Sequence, residues 1–346
     1  MALVFDAPVS NEALTTFVRN VPVDSELRLL NQVPSRTVAR GEISLAEVFR
    51  RNRTARYRSF DGRIHVSARD GGTTKTVKLL PLSSSLSMGE YERLQLEFAR
   101  TGGTNTAALA DAIYDDATQL TREVHARLEQ ALGDVLTDGV LTLNENGLVG
   151  VELDFGVPVN QKVIAATVWS NVAAPALTNL IAWRDVYIAN NGSAPGAIRT
   201  SRTVISHLQR NTEIINAIYG SAAGRTRASF ADLQTLLASE GLPPLVESYD
   251  TQVDVDGTLV RVIPENRLLF TPENLGDLVN TVYGVSATAL ELVNSNKADF
   301  SFEEAPGIVG VITKDGPPFR QYSFVDGVAM PVLNDARRLL TAQVLV

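Results

Sequence analysis

The stretch from about Thr106 to Thr137 constrains the fold more than any other part of the chain. It contains no proline, and its apolar residues fall at Leu109, Ile113, Leu120, Val124, Leu128, Leu132 and Val135. Those spacings keep one stripe on one face of a helix. At ~1.5 Å per residue the helix is on the order of 45 Å long, well above the usual length. Asp138-Gly139 supplies its stop.

The segments before this helix have a different character. The first fifty or so residues carry Pro8, Pro22 and Pro34 between short apolar clusters such as Leu27, Leu29 and Leu30. They read as an arm with isolated pieces of structure. From Tyr57 to Leu80 the pattern is that of strands. Ile64, Val66 and Ala68 alternate with polar residues, Asp70-Gly71-Gly72 offers a turn, and Val77 and Leu79 resume the alternation. The expectation is a β-hairpin ribbon with little apolar surface, needing another surface to lie on. Ser87-Met-Gly-Glu90 has the spacing of a capping box and predicts a helix to about Arg100, broken by Thr101-Gly102-Gly103-Thr104.

Beyond the long helix, Asn144-Glu-Asn-Gly147 predicts a hairpin between strands near Val140–Leu143 and Leu148–Phe155. Pro175 opens a region of short helices at Leu177–Asn190, Arg202–Gln209, Thr212–Tyr219 and Phe230–Ser239. Ser201 and Ser229 are placed as N-caps, and Asn191-Gly192 and Gly241 as C-terminal stops. Strands at Val246–Asp254 and Thr258–Ile263 flank Asp256-Gly257, and Leu268-Leu-Phe270 forms a further strand. After about Ala305 come strands at Gly307–Thr313 and Gln321–Val325, then the apolar segment Ala336–Val346.

Composition removes several function classes. There is no cysteine in 346 residues, so disulfides, thiolate metal sites and cysteine nucleophiles are excluded. A reducing cytosol fits. Apolar residues make up 45%, enough for a sizeable core without staples. The formal charge is −8, which does not favour coating the chain with nucleic acid. The start has no basic region ahead of an apolar run, so no secretory signal is expected. The most apolar stretch, Val163 to Leu177, is interrupted by Thr167, Ser170, Asn171 and Pro175 and is too short to span a bilayer.

Few residues suggest chemistry. Arg50, Arg51, Arg53, Arg56 and Arg58 form a basic stretch that is either solvated or paired with acidic surfaces of neighbours, the acidic balance favouring a protein partner over DNA. Gly71-Gly-Thr-Thr-Lys-Thr76 lacks the spacing and the strand-to-helix setting of a phosphate loop. His65, His125 and His207 are far apart and have no zinc-ligand spacing. Asp115-Asp116 and Glu303-Glu304 are neighbours, and adjacent residues on a helix do not share a face, so solvated charge is the expectation. No Gly-x-Ser-x-Gly elbow is present. Trp169 and Trp183 read as packing residues. No catalytic, cofactor-binding or metal residue is assigned.

This order of elements resembles the Hong Kong 97 capsid fold, and more closely the lambda-type major capsid protein E family of tailed bacteriophages. The resemblance covers about Arg50 to Val346. It rests on the ribbon Tyr57–Leu80, the long helix with Glu90-Tyr-Glu-Arg93 before it and Ala131-Leu-Gly133 and Gly139 following, and Ala174-Pro175-Ala-Leu-Thr-Asn-Leu180. Ile188-Ala-Asn-Asn-Gly192, Ile198–Ile205, Asn266-Arg-Leu-Leu-Phe270 and Pro317–Val346 extend it.

It implies an α+β fold in four parts: an N-terminal arm over 1–56, an extended loop (β-hairpin) over 57–86, a peripheral domain from 87–175 and 305–346 with a long spine helix, and an inserted axial domain over 176–304. It implies a non-enzymatic shell subunit. Copies would form hexamers and pentamers of an icosahedral head enclosing double-stranded DNA in the virion, assembled in the bacterial cytoplasm. Expected partners are the chain itself, a scaffold protein or protease, a portal and a decoration protein. DNA contact would be non-specific, and no membrane is involved. Arg50, Arg51, Arg53, Arg56, Arg58, Lys75 and Lys78 are the residues expected at subunit contacts. Crosslinking through Lys75 or Lys78, known in some relatives of the fold, is not expected in the lambda-type branch. Two alternatives use other logic: an encapsulin-type compartment enclosing a cargo enzyme, and an α+β enzyme built on scattered carboxylates.

Overall fold

The computed structural model describes residues 2–5, 7–48, 72–89, 106–145, 148–221, 224–246, 249–317 and 320–346. Two large hydrophobic cores and a small third cluster of Ala289, Ala305 and Val309 organise them.

The first core forms on the long helix. Strand β1 (Ala2–Leu3), helices α1 (Asn11–Asn20) and α2 (Arg28–Gln32), and strands β2 (Ser35–Thr37), β3 (Glu42–Val48), β4 (Gly72–Lys78) and β5 (Pro81–Met88) precede helix α3, Thr106–Asp138. Ile113, Leu120, Val124, Leu128, Leu132 and Val135 of the sequence stripe are buried, joined by Ala117, Ala131 and Leu136. Gly139, at φ +75°, ends the helix in the left-handed region. Gly133 lets the chain at Val262 approach closely: a Cβ there would stand 2.2 Å from the Val262 carbonyl oxygen.

The hairpin β6 (Val140–Glu145) and β7 (Leu148–Asp154) follows as expected. The sheet beneath α3 has the order β1-β14-β15-β13-β2, with β14 Val309–Asp315, β15 Arg320–Leu333 and β13 Val279–Tyr283. β5 also pairs with β15, antiparallel, Pro81 opposite Val328. β2 runs parallel to β13.

The second core lies on the sheet β8-β16-β12-β9: β8 Lys162–Ile164, β16 Leu340–Gln343, β12 Arg267–Thr271 and β9 Ala197–Thr200. Helices α4 (Ala176–Asn191), α5 (Arg202–Arg210), α6 (Thr212–Tyr219) and α7 (Phe230–Ser239) supply its apolar side chains. Ser201 and Ser229 cap α5 and α7, accepting from the Val204 and Asp232 amides. Pro175 cannot cap α4 through a side chain. Glu213 of α6 does so from a distance, accepting from the Leu177 amide at 2.8 Å. Trp169 stacks on Trp183, ring centroids 5.6 Å apart. The hairpin β10 (Gln252–Val255) and β11 (Thr258–Arg261) turns on Asp256 and Gly257, both at positive φ. Helix α8 (Ala287–Val293) completes the set.

Four expectations need correction. The first fifty residues do not behave as an arm without packing, because Leu14, Val18, Leu29 and Leu30 are buried in the first core. Gly72 opens strand β4, whose described partner is β3, Gly72 opposite Val48; the alternating run 63–69 and Asp70-Gly71 lie outside the described residues. Ser87 and Met88 end a strand, since Met88 can bury against the core only when β5 continues alongside β15; the proposed helix beyond lies outside the described residues. The closing segment returns to the first core only in part. Ala336 and Leu339 belong to it, whereas Leu340, Ala342 and Val344 belong to the second, where β16 lies between β8 and β12.

Candidate assembly surface

The ribbon β3–β4 is the feature that the local sequence leaves least self-sufficient. Its strands pair with each other in a two-stranded sheet. Along β4 exposure alternates, Thr76 and Lys78 outward and Val77 inward; Leu79 continues the pattern just beyond the strand. Val77 and Leu79 anchor the base in the first core, and the Leu79 amide donates to the Gly41 carbonyl. Lys78 stands opposite Glu42, both exposed, so the base of the ribbon carries a cross-strand pair of opposite charge. Lys75 stands opposite Leu45 in the register. The structure therefore brings Lys75 and Lys78 onto one strand. Arg50, Arg51, Arg53, Arg56 and Arg58 lie outside the described residues.

The buried polar groups make a latch instead of a reactive centre. Glu129, on the α3 face turned to the core, is fully buried. One oxygen accepts from the Leu29 amide at 2.9 Å and the Tyr249 hydroxyl at 2.6 Å; the other accepts from the Leu30 amide at 2.7 Å. Burial pushes its carboxyl above the ordinary value, and these three donors oppose that rise. Burial and the adjacent carboxylate push the Tyr249 hydroxyl up as well. The arrangement ties α2, α3 and the chain entering β10 together. Sequence reasoning missed it. A glutamate in an apolar stripe is the one local signal that could have found it.

His125, one turn before Glu129, borders a cavity of about 400 Å³ with Arg19, Thr281 and Tyr283. Burial holds its imidazole below the ordinary value. Burial also pushes the Tyr283 hydroxyl up to about 12. His207 is on α5, remote in sequence and in core from His125, and His65 lies outside the described residues. Asp116 accepts from Ser323, and Glu304 accepts from the amide and hydroxyl of Ser301, which hold its carboxyl below the ordinary value. Among the described residues no group of three His, Asp or Glu side chains could hold a metal ion. No described helix is long and apolar enough to cross a membrane.

Comparison with known proteins agrees with this geometry. The sequence model of the family described as phage major capsid protein E matches residues 11–300. Among solved structures, a capsid protein of a prophage of E. coli CFT073 is similar at 15% identity and a TM-score of 0.52, covering 79% of each chain. A phage-related protein from Bordetella bronchiseptica RB50 is similar at 13% identity and a TM-score of 0.52, covering 99% of this chain and 98% of that one. At such identities the likeness establishes the fold, which is of the Hong Kong 97 type. No curated protein matches the sequence.

Proposed function

This chain belongs to the phage major capsid protein E family, and from that premise we propose that its copies associate as hexamers and pentamers that close an icosahedral head around double-stranded DNA. The chain is a shell-forming capsid protein of the virion. The observation that carries the finer reading is the ribbon β3–β4, anchored at Val77 and Leu79 and paired with no other described strand. A two-stranded ribbon is marginal alone and gains stability by lying on another surface. In a shell that surface belongs to a neighbouring copy.

The division of labour keeps the expected order, amended by the packing: an arm over 1–56 that docks on the first core through Leu14, Val18, Leu29 and Leu30 and lends β3 to the ribbon, an extended loop over 57–86 whose last strand β5 lies on β15, a peripheral domain over 87–175 and 305–346 whose strand β16 joins the second sheet, and an axial domain over 176–304. Arg50, Arg51, Arg53, Arg56 and Arg58, with Lys75 and Lys78, meet acidic surfaces of neighbours. The chain performs no catalysis. Its partners are copies of itself, a scaffold protein or protease, a portal and a decoration protein, with DNA touched only non-specifically. Assembly takes place in the host cytoplasm.

Negative-stain microscopy of the purified protein, with and without a co-expressed scaffold, tests this. Hollow shells tens of nanometres across are the expected result. A monomer that never assembles under either condition contradicts it.

A further inference from the structure

Residues of α1, α2, the spine helix and β13 line a cavity of about 400 Å³. Protein interiors leave few voids larger than a water molecule, and this one falls in the size range of small-molecule sites. Part of its wall is aliphatic: Val18, Val21, Leu30, Val33 and Ile308. Set into the same wall are His125, 6% exposed, and Thr281, 1% exposed. The His125 Nδ1 and Thr281 Oγ1 atoms are buried and have no hydrogen-bond partner among the described residues. Native structures pair nearly all such atoms, because an unpaired one gives up its hydration for nothing. Two of them in the wall of one cavity point to an occupant that supplies the missing partner.

Charge selects the occupant. Arg19 borders the cavity, and no Asp or Glu does. Its guanidinium is fixed by two backbone carbonyls, Nε donating to Ile308 and Nη2 to Glu304, each at 2.8 Å. A cation held by neutral carbonyls keeps its charge for another partner. The nearby acidic side chains are already engaged. Glu304 acts on Arg19 through space but accepts from the amide and hydroxyl of Ser301. Glu129, one turn beyond His125, is taken by the Leu29 and Leu30 amides and Tyr249. The cavity is therefore basic at one part of its wall and aliphatic at another.

We propose that this cavity binds a small aliphatic monocarboxylate, its hydrocarbon body against the valine, leucine and isoleucine wall and its carboxylate accepting from Arg19, His125 and Thr281. An alkylammonium would meet Arg19 as a like charge. A neutral alcohol would leave the cation without a counter-charge. Because the wall is shared between the N-terminal helices, the spine helix and β13, an occupant ties the first thirty-odd residues to the first core. Anything that binds only the folded chain stabilises it in proportion to its concentration. The site stands or falls independently of shell formation.

Octanoate is the probe, with octylammonium and 1-octanol as its comparisons. Each is titrated into the full-length, unassembled subunit near neutral pH, and affinity is read by calorimetry, stability by melting temperature and location by NMR of the histidine rings. The His125 signal is assigned by its loss in His125→Gln. Expected is saturable binding of one octanoate per subunit, a melting temperature that rises with octanoate, and a shift of the His125 signal with the His207 signal unmoved. Octanol should bind at least tenfold more weakly and octylammonium not at all. Arg19→Gln, shown to be folded by circular dichroism, should weaken octanoate at least tenfold; if that variant does not fold, Thr281→Val should weaken it severalfold. No saturable octanoate binding at millimolar concentration overturns the proposal, the cavity then holding water alone. Octanol or octylammonium bound as tightly as octanoate overturns the carboxylate. Octanoate binding that leaves the His125 signal unmoved, or that a folded Arg19→Gln variant retains in full, overturns the site.

Discussion

The Tyr249 hydroxyl donates to Glu129 across 2.6 Å, joining the middle of the spine helix to a residue 120 positions later. The same carboxylate accepts from the Leu29 and Leu30 amides at the start of α2. Both carboxyl oxygens act as acceptors, one from the Leu29 amide and the Tyr249 hydroxyl and the other from the Leu30 amide.

Glu129→Gln should therefore destabilise the subunit by about 1–3 kcal/mol, because either orientation of the amide turns an NH2 group toward a donor. Urea denaturation of the unassembled subunit measures this. Unchanged stability would show that the latch does not form.

The latch also sets a pH dependence. The folded carboxyl titrates above its ordinary value of 4.5, so the native state binds more protons than the unfolded state just above that pH. Its contribution is present at and below pH 4.5 and is lost as pH rises through the folded value. The stability difference between wild type and Glu129→Gln should shrink across that window as pH rises.

His125 works in the opposite sense. Its folded value is depressed below 6.5 by burial, so its contribution is complete above pH 6.5 and is lost as pH falls through the folded value. Arg19 and Tyr283 border the same cavity. His125→Gln should flatten the decline of stability below pH 6.5; a curve parallel to wild type would contradict the burial.

Gly133→Ala sets two effects against each other. Alanine gains about 1 kcal/mol of helix propensity. Its Cβ would stand 2.2 Å from the Val262 carbonyl oxygen, a backbone atom that cannot swing aside. Overpacking of this kind costs about 1–3 kcal/mol, and the obstacle is backbone, so the net change should be a lower melting temperature. A higher one would mean that Val262 does not pack on α3.

Removal of residues 45–75, with a short turn joining the strands, keeps Val77 and Leu79 in the core. The monomer should then fold with near-native circular dichroism and fail to form shells. Stable shells from this variant would remove the ribbon from assembly.

What the sequence by itself determined is local. The stripe from Ile113 to Val135, the caps at Ser201 and Ser229, and the Asp256-Gly257 turn all arise between residues a few positions apart, where spacing and side-chain chemistry decide the outcome. The order of these elements was enough to point to the capsid family. Only the tertiary structure decided which distant strands meet. Met88 closes a strand on β15 where its own neighbours spell a helix cap, and β4 takes β3 as its partner across residues 49–71. Leu340 and Ala342 complete the second sheet, and Glu129 finds its donors on two remote segments. Such pairings depend on which edges and faces remain unburied once the local elements exist, and that is a property of the assembled cores.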